Sequence, residues 1–325
     1  MKKFFSILIC VLLCLISVNA YLISAEENFV NSELMNLAEE FSKRNFSSSE
    51  IKNIKVLYDF NDEEKFLFYD YGESGYIIID ILNKTISEAG FEKHKLLFDN
   101  NQKYYYNGPL SYYRKESTNF IDLHNNKSFS KDKVKIKKPK FNNEMVISES
   151  SASSRSDSSY TVRISGTLPN YSYNPEYHCG SCAAGMWLMY MDTYVNDNYV
   201  ASSYETTSGV SLISSLFSYI EDIDAEDGST PDELKIGLQN YINNRGISYT
   251  VNMRAWNATV FKNRIAANRP VIVDLDVHPT YDEHWVTAYG YYVEKSPNVK
   301  YIIVNDGWGS TNIYINPAYI GQIVY

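Results

Sequence analysis

Cys179-Gly180-Ser181-Cys182 opens an apolar stretch in which Ala183, Met186, Trp187, Tyr190, Met191 and Tyr194 recur at helical spacing. The spacing predicts a helix from Cys182 to Val195, with two thiols at its mouth. That placement constrains the rest of the chain. The first turn of a helix carries unpaired N–H groups and a partial positive charge, which favour an anion. A free thiol ionises at a pKa of about 8.5 and reacts as thiolate, so this is where a cysteine is easiest to activate.

The start of the chain sets the compartment. Met1-Lys2-Lys3 is charged and Phe4 to Val18 is apolar. Val18-Asn19-Ala20 and Ile23-Ser24-Ala25 are small-residue cleavage sites. Residues 1–25 read as a secretory signal peptide, so the protein is expected to be secreted, free or held at the cell surface. Cys10 and Cys14 lie in the apolar run without the small preceding residue that lipidation needs. No later stretch is long and apolar enough to span a bilayer, so no stable membrane anchor is expected. Beyond the leader only Cys179 and Cys182 remain. They could be a redox couple, a structural disulfide, or a nucleophile with a neighbour. No further Cys/His pairs stand at zinc spacing, so neither metal nor cofactor is expected. The net charge of -9 argues against nucleic acid as a partner.

The 325 residues leave room for about two domains. Asn31 to Asn45 has helical spacing through Leu34, Leu37, Ala38 and Phe41, and β-like runs follow at Ile54–Tyr58, Phe66–Tyr69 and Gly75–Asp80. We read a small α+β unit over 26–125. Lys127 to Lys140 holds seven lysines and one acid, and Ser148 to Ser159 is serine-rich. Neither can bury enough apolar surface to fold, so 126–159 reads as a flexible linker. Residues 160–325 form the second unit. Further helices are expected at Ser211–Ile220, from Pro231 (with Thr230 as N-cap) to Arg245-Gly246, and at Phe261–Asn268. Strands follow at Pro270–Asp274, Trp285–Gly290 and Tyr301–Val304. Helices first and an antiparallel sheet after them make an α+β class.

A thiolate needs a base on a rigid element and a third group to set the base's tautomer. The chain has five histidines. His94 and His124 lie in the first unit, His178 abuts Cys179 and points elsewhere, and His278 precedes Pro279 in a turn. His284 opens the strand Trp285–Gly290. Asn305 and Asp306 end the next strand, where antiparallel pairing brings them beside His284. A histidine before a strand is usually a surface residue, and Asn-Asp-Gly is usually a turn. Their order after a helix-mouth cysteine is what points to catalysis.

At this point a resemblance is specific. Cys179-Gly180-x-x-Ala183-x-x-Met186-x-Leu188-x-Tyr190 resembles the nucleophile helix of bacterial peptidases related to the double-glycine leader peptidases. His284-x-Val286-x-Ala288-Tyr289-Gly290-Tyr291 and Asp306-Gly307-Trp308-Gly309 resemble the histidine strand and Asp-x-Trp of that papain-like group. Asn268–Val273 is similar to the run before its histidine. The resemblance covers about Tyr160 to Asn316. Through Ser74–Asp80 the first unit resembles pro-domains of streptopain-type secreted cysteine peptidases. The resemblance implies a papain-like catalytic domain preceded by a small α+β pro-domain, together a zymogen. It implies Cys179 as nucleophile, His284 as general base, Asp306 as its orienter, Trp308 as a shield, a peptide or protein substrate and no cofactor. Plant papains share Cys-Gly-Ser-Cys but use the second cysteine, here Cys182, and a streptopain-like alignment favours Asn305 over Asp306. The family's oxyanion glutamine falls at Tyr173, with Asn174 the candidate donor beside it. The rival readings are a thiol–disulfide oxidoreductase, a non-catalytic binding module on the same scaffold, and a cell-wall amide hydrolase.

Overall fold

The strand Tyr76–Asp80 shows how the N-terminal half is built. Each of its five residues is buried, because alternate side chains enter two different cores. Ile77 and Ile79 join Leu34, Ala38 and Phe41 of helix α1 (residues 32–45), whereas Tyr76 and Ile78 join Leu57, Phe66 and Tyr112. A strand covered on both faces reads as a continuous apolar run. The computed structural model describes residues 32–96, 98–99, 101–134, 139, 159–175, 177–221, 228–278, 282–294 and 298–325. The signal-like residues 1–25, most of the linker at 126–159 and the side chain of His278 lie outside the described residues.

The N-terminal half carries β1 (Asn53–Tyr58), β2 (Glu64–Asp70), β3 (Tyr76–Asp80), β4 (Thr85–Gly90), β5 (Tyr104–Gly108), β6 (Ser111–Glu116), β7 (Asn119–Asp122) and β8 (Ser128–Ser130). The C-terminal half begins with β9 (Tyr160–Arg163). It continues through α2 (Cys179–Tyr194), α3 (Val210–Ile220), α4 (Pro231–Asn244), β10 (Met253–Ala255) and α5 (Ala258–Ala266). It closes with β11 (Val271–His278), β12 (Asp282–Val293), β13 (Val299–Asn305), β14 (Ile313–Ile315) and β15 (Ile320–Val324). The class is mixed α+β, as expected.

Local chemistry sets the helices. Thr230 caps α4 in a reciprocal box: its Oγ1 accepts from Glu233 N–H at 3.3 Å, while Glu233 accepts from Thr230 N–H at 2.7 Å. Pro231 stands at the first helical position, where it has no N–H to lose. Helix α2 is apolar on nearly every side because it lies between two cores. Cys182, Met186 and Tyr190 enter one; Cys179, Ala183, Trp187 and Met191 enter the other.

One sheet runs through both halves, in the order β10-β15-β11-β12-β13-β14-β4-β3-β2-β1-β5-β6-β7-β8, with β9 added beside β12. Its pairs are antiparallel except β1 with β5. The halves join by backbone at β14–β4, with Tyr314 opposite Ala89 and Ile315 opposite Glu88. Asn316 N–H extends this pairing to Ser87 O at 3.0 Å. Side chains cross the seam as well. Phe41 of α1 meets Tyr301 and Tyr314 edge-on, with centroids 5.8 and 6.3 Å apart. Tyr292, Tyr301, Ile303 and Tyr314 are buried in the same cluster as α1. Each such side chain is worth about 1.5–3 kcal/mol in apolar burial.

Candidate active site

Cys179 is the first residue of α2. Its N-cap, His178, supplies no side-chain cap. The helical ladder begins with Cys182 N–H donating to His178 O at 2.7 Å. The N–H groups of Cys179, Gly180 and Ser181 therefore have no partner within the helix. Gly180 fits here because a Cβ would lie 2.0 Å from Ser229 Oγ. Both thiols are free. Cys179 is 7% exposed and Cys182 1%, so Cys179 is the more accessible. Burial, and then the Glu221 carboxyl, push the Cys179 thiol up to about 12, while the backbone N–H of Trp285 and of Gly180 pull it the other way. Cys182 is pushed up by burial, then by Cys179 and Asp306. Burial thus works against ionisation of either sulfur.

Strand β12 lies against α2. Thr287 Oγ1 donates to Ala183 O at 2.9 Å, and Trp285 Nε1 donates to Ser229 O at 2.9 Å. This sets Cys179 against the Trp285 N–H, one residue beyond His284. His284, opposite Leu275 in β11, is 6% exposed. The indole of Trp308 stacks on its ring with centroids 4.4 Å apart and planes 7° from parallel. A turn after β13 presents that indole. Asp306 Oδ1 accepts from the N–H of Trp308 and of Ser310, both at 2.8 Å. Gly307, at φ +81°, is required in the turn: a Cβ there would lie 3.2 Å from both Asn174 Nδ2 and Cys182 Sγ.

The fold thus gathers Cys179, Cys182, Asn174, His284, Asp306 and Trp308 around the start of α2. It does not join Asp306 to His284 by a hydrogen bond among the described residues; the carboxylate is used on its own turn. Burial raises the Asp306 pKa, partly offset by the Ser310 and Trp308 N–H groups. Asn305 Nδ2 donates to Pro169 O at 2.9 Å, and its Oδ1 is buried with no hydrogen-bond partner among the described residues. Cys182 Sγ approaches Gly307 O at 3.8 Å. Asn174 Nδ2 is buried with no hydrogen-bond partner among the described residues, which leaves a donor available near the sulfurs.

Two other histidines are placed where they cannot be the base. His178 stacks on Phe217 at 4.0 Å. His94 sits among Phe68, Tyr76, Phe98 and Tyr112, and burial pushes its pKa down to about 4. His124 is the residue that the sequence did not mark. Its ring stacks on Trp308 at 3.8 Å and 9°, so that Trp308 is held between His124 of the N-terminal half and His284. No motif surrounds it; Asp122 Oδ1 merely fixes its backbone N–H at 2.7 Å. Among the described residues one set of carboxylates, Asp192, Asp197 and Glu205, comes within 4.8 Å of one another. It lies at the other end of α2, and Asp192 is already engaged by Val200 N–H.

A comparison with curated proteins found no match. Residues 165–320 match the model described as the Peptidase_C39 like family. The matched span contains α2 with both cysteines, His284 on β12 and the turn from Asp306 to Gly309. The C-terminal half of this chain is therefore similar to the Peptidase_C39-like family, which supports a cysteine peptidase.

Proposed function

We propose that the chain is a secreted cysteine peptidase on a papain-like scaffold, made as a latent precursor, that hydrolyses peptide bonds with Cys179, His284 and Asp306. One observation carries this reading. Cys179 stands at the positive end of α2 against the residue that follows His284, and the His284 ring is covered by Trp308. The Cys179 thiolate attacks a peptide carbonyl and forms a C–S bond. His284, holding the thiol proton, gives it to the leaving amine as the C–N bond breaks. A water then loses a proton to His284, attacks the thioester and releases the acid and the thiol. The first-turn N–H groups of α2 and the Asn174 amide are the donors for the oxyanion. Asp306 sets His284 through the turn that carries Trp308. The substrate is a peptide or protein.

Latency is supported by the burial of both thiols, which works against their ionisation. Cutting within the linker, between β8 and β9, is the activating event in this reading, because polar, serine-rich segments are where proteases nick. Secretion rests on the leader-like residues 1–25. No helix among the described residues is long and apolar enough to cross a membrane.

A second assignment, Cys182 as nucleophile, is favoured by its approach to Gly307 O and by the Asn174 amide. Against it, the Cys182 N–H is spent in the helix and the sulfur is deeper. Cys179→Ala should abolish turnover of a casein or peptide substrate, while Cys182→Ser keeps most of it. The reverse result moves the assignment to Cys182, and loss in both favours a redox or disulfide role.

A further inference from the structure

We propose that the N-terminal half is a permanent part of the catalytic unit: it stays bound after a cut in the linker and supplies His124, a positioning residue that acts on His284 through Trp308. The second clause rests on the function proposed above; the first does not.

Retention follows from the seam. The halves share a backbone ladder at β14–β4 and a hydrophobic cluster that takes residues from both. Polar contacts at other depths add to these. Asn107 Nδ2 donates to Val277 O at 2.7 Å, Ser87 Oγ meets Tyr319 Oη at 3.0 Å, and Lys95 Nζ donates to Trp308 O at 3.2 Å. Gly108 lies so close to the C-terminal half that a Cβ would stand 2.6 Å from Val277 Cγ1. A removed N-terminal half would leave β14 as an open edge and uncover buried tyrosines, a surface prone to association. Cutting a linker alters none of these contacts.

The positioning role follows from the ring stack. Trp308 can hold the His284 plane only if its own plane is held, and its other face is covered by His124. Around His124 stand Asp122, Asp306 and Lys95, and the Leu110 carbonyl accepts from its ring. His124 thus stacks on the indole within electrostatic reach of Asp306.

The test uses the full-length protein. A recognition sequence for a specific protease is inserted after Ser150 and cut in the folded chain, and the product is run on a native sizing column. Both pieces should elute together at the mass of the intact chain and separate only in denaturant. Separate elution in native buffer overturns the retention claim whether or not the protein is a peptidase. For His124, the pH profile of iodoacetamide alkylation of the active thiol is measured in His124→Ala and His124→Phe. Loss of the ring admits water to Trp308 and His284, so His124→Ala should move the histidine limb of the profile to higher pH, while His124→Phe keeps the stack and the wild-type limb. A His124→Ala profile superimposable on wild type overturns the positioning role.

Discussion

His284 and Asp306 make different demands on the same site. In the proposed mechanism His284 moves a proton, and a positioned base contributes about 10²- to 10⁴-fold. His284→Ala should lose about that much in kcat, with the fold kept, when measured on a peptide substrate. Asp306 does its work through a turn, holding the N–H of Trp308 and Ser310. Asp306→Ala should therefore retain measurable turnover, but with a lowered Trp308 fluorescence polarisation as the indole loosens. Full activity in His284→Ala would remove the base from the account. Cys179, His284, Asp306 and Trp308, the residues of the proposed site, were picked out of the sequence because their order and flanking residues form a pattern. His124 could not be. Its role comes from stacking on a residue far along the chain, and ring proximity of that kind leaves no periodic or local mark. The same limit applies to Asn305 and Asp306, which are adjacent in sequence yet serve Pro169 and the 306–310 turn respectively.

At the scale of elements, helices were legible where caps and periodicity agree. Thr230 and Pro231 open α4 as read, and α3 begins one residue before its expected start. Helix α2 begins at Cys179 rather than Cys182. Gly180, a poor helix former, is accepted there because Ser229 occupies the space of a Cβ. In the N-terminal half β4 to β8 were not read, since Tyr, Ser, Asn and Glu dominate them. Glu88 of β4 is buried without loss because the Tyr76, Tyr112 and Tyr106 hydroxyls and the Leu110 N–H donate to it at 2.6–3.2 Å. Helix packing gives a sharper test. Gly237 lets α4 lie directly on the end of α3, where an alanine Cβ would stand 2.3 Å from Tyr219 O. Alanine gains about 1 kcal/mol of helix propensity, but overpacking against backbone costs about 1–3 kcal/mol or more. Gly237→Ala should lower the Tm; an unchanged or raised Tm would contradict the α3–α4 contact.

At the scale of the whole molecule the sequence suggested two units and a linker, and the structure adds what joins them. The joint was illegible because β14 is three residues long and pairs with a strand more than two hundred positions earlier. The core of the N-terminal half also lends itself to a pH test. The His94 pKa falls to about 4 in the fold through burial, below the 6.5 of an unhindered histidine. The unfolded chain therefore binds the extra proton first. His94 keeps its full contribution above pH 6.5, and stability drains as pH falls towards 4. His94→Gln should flatten the decline of Tm over that window, and an unaltered decline would place the acid sensitivity elsewhere. The central claim is that Cys179 is the single reactive thiol and that His284 activates it. Its most direct test is labelling of the linker-cut protein with a peptidyl epoxide, mapped by peptide mass spectrometry. The account predicts one equivalent on Cys179, and none when His284→Ala is treated in the same way. Label on Cys182 alone, or on neither cysteine of the wild type, would contradict it.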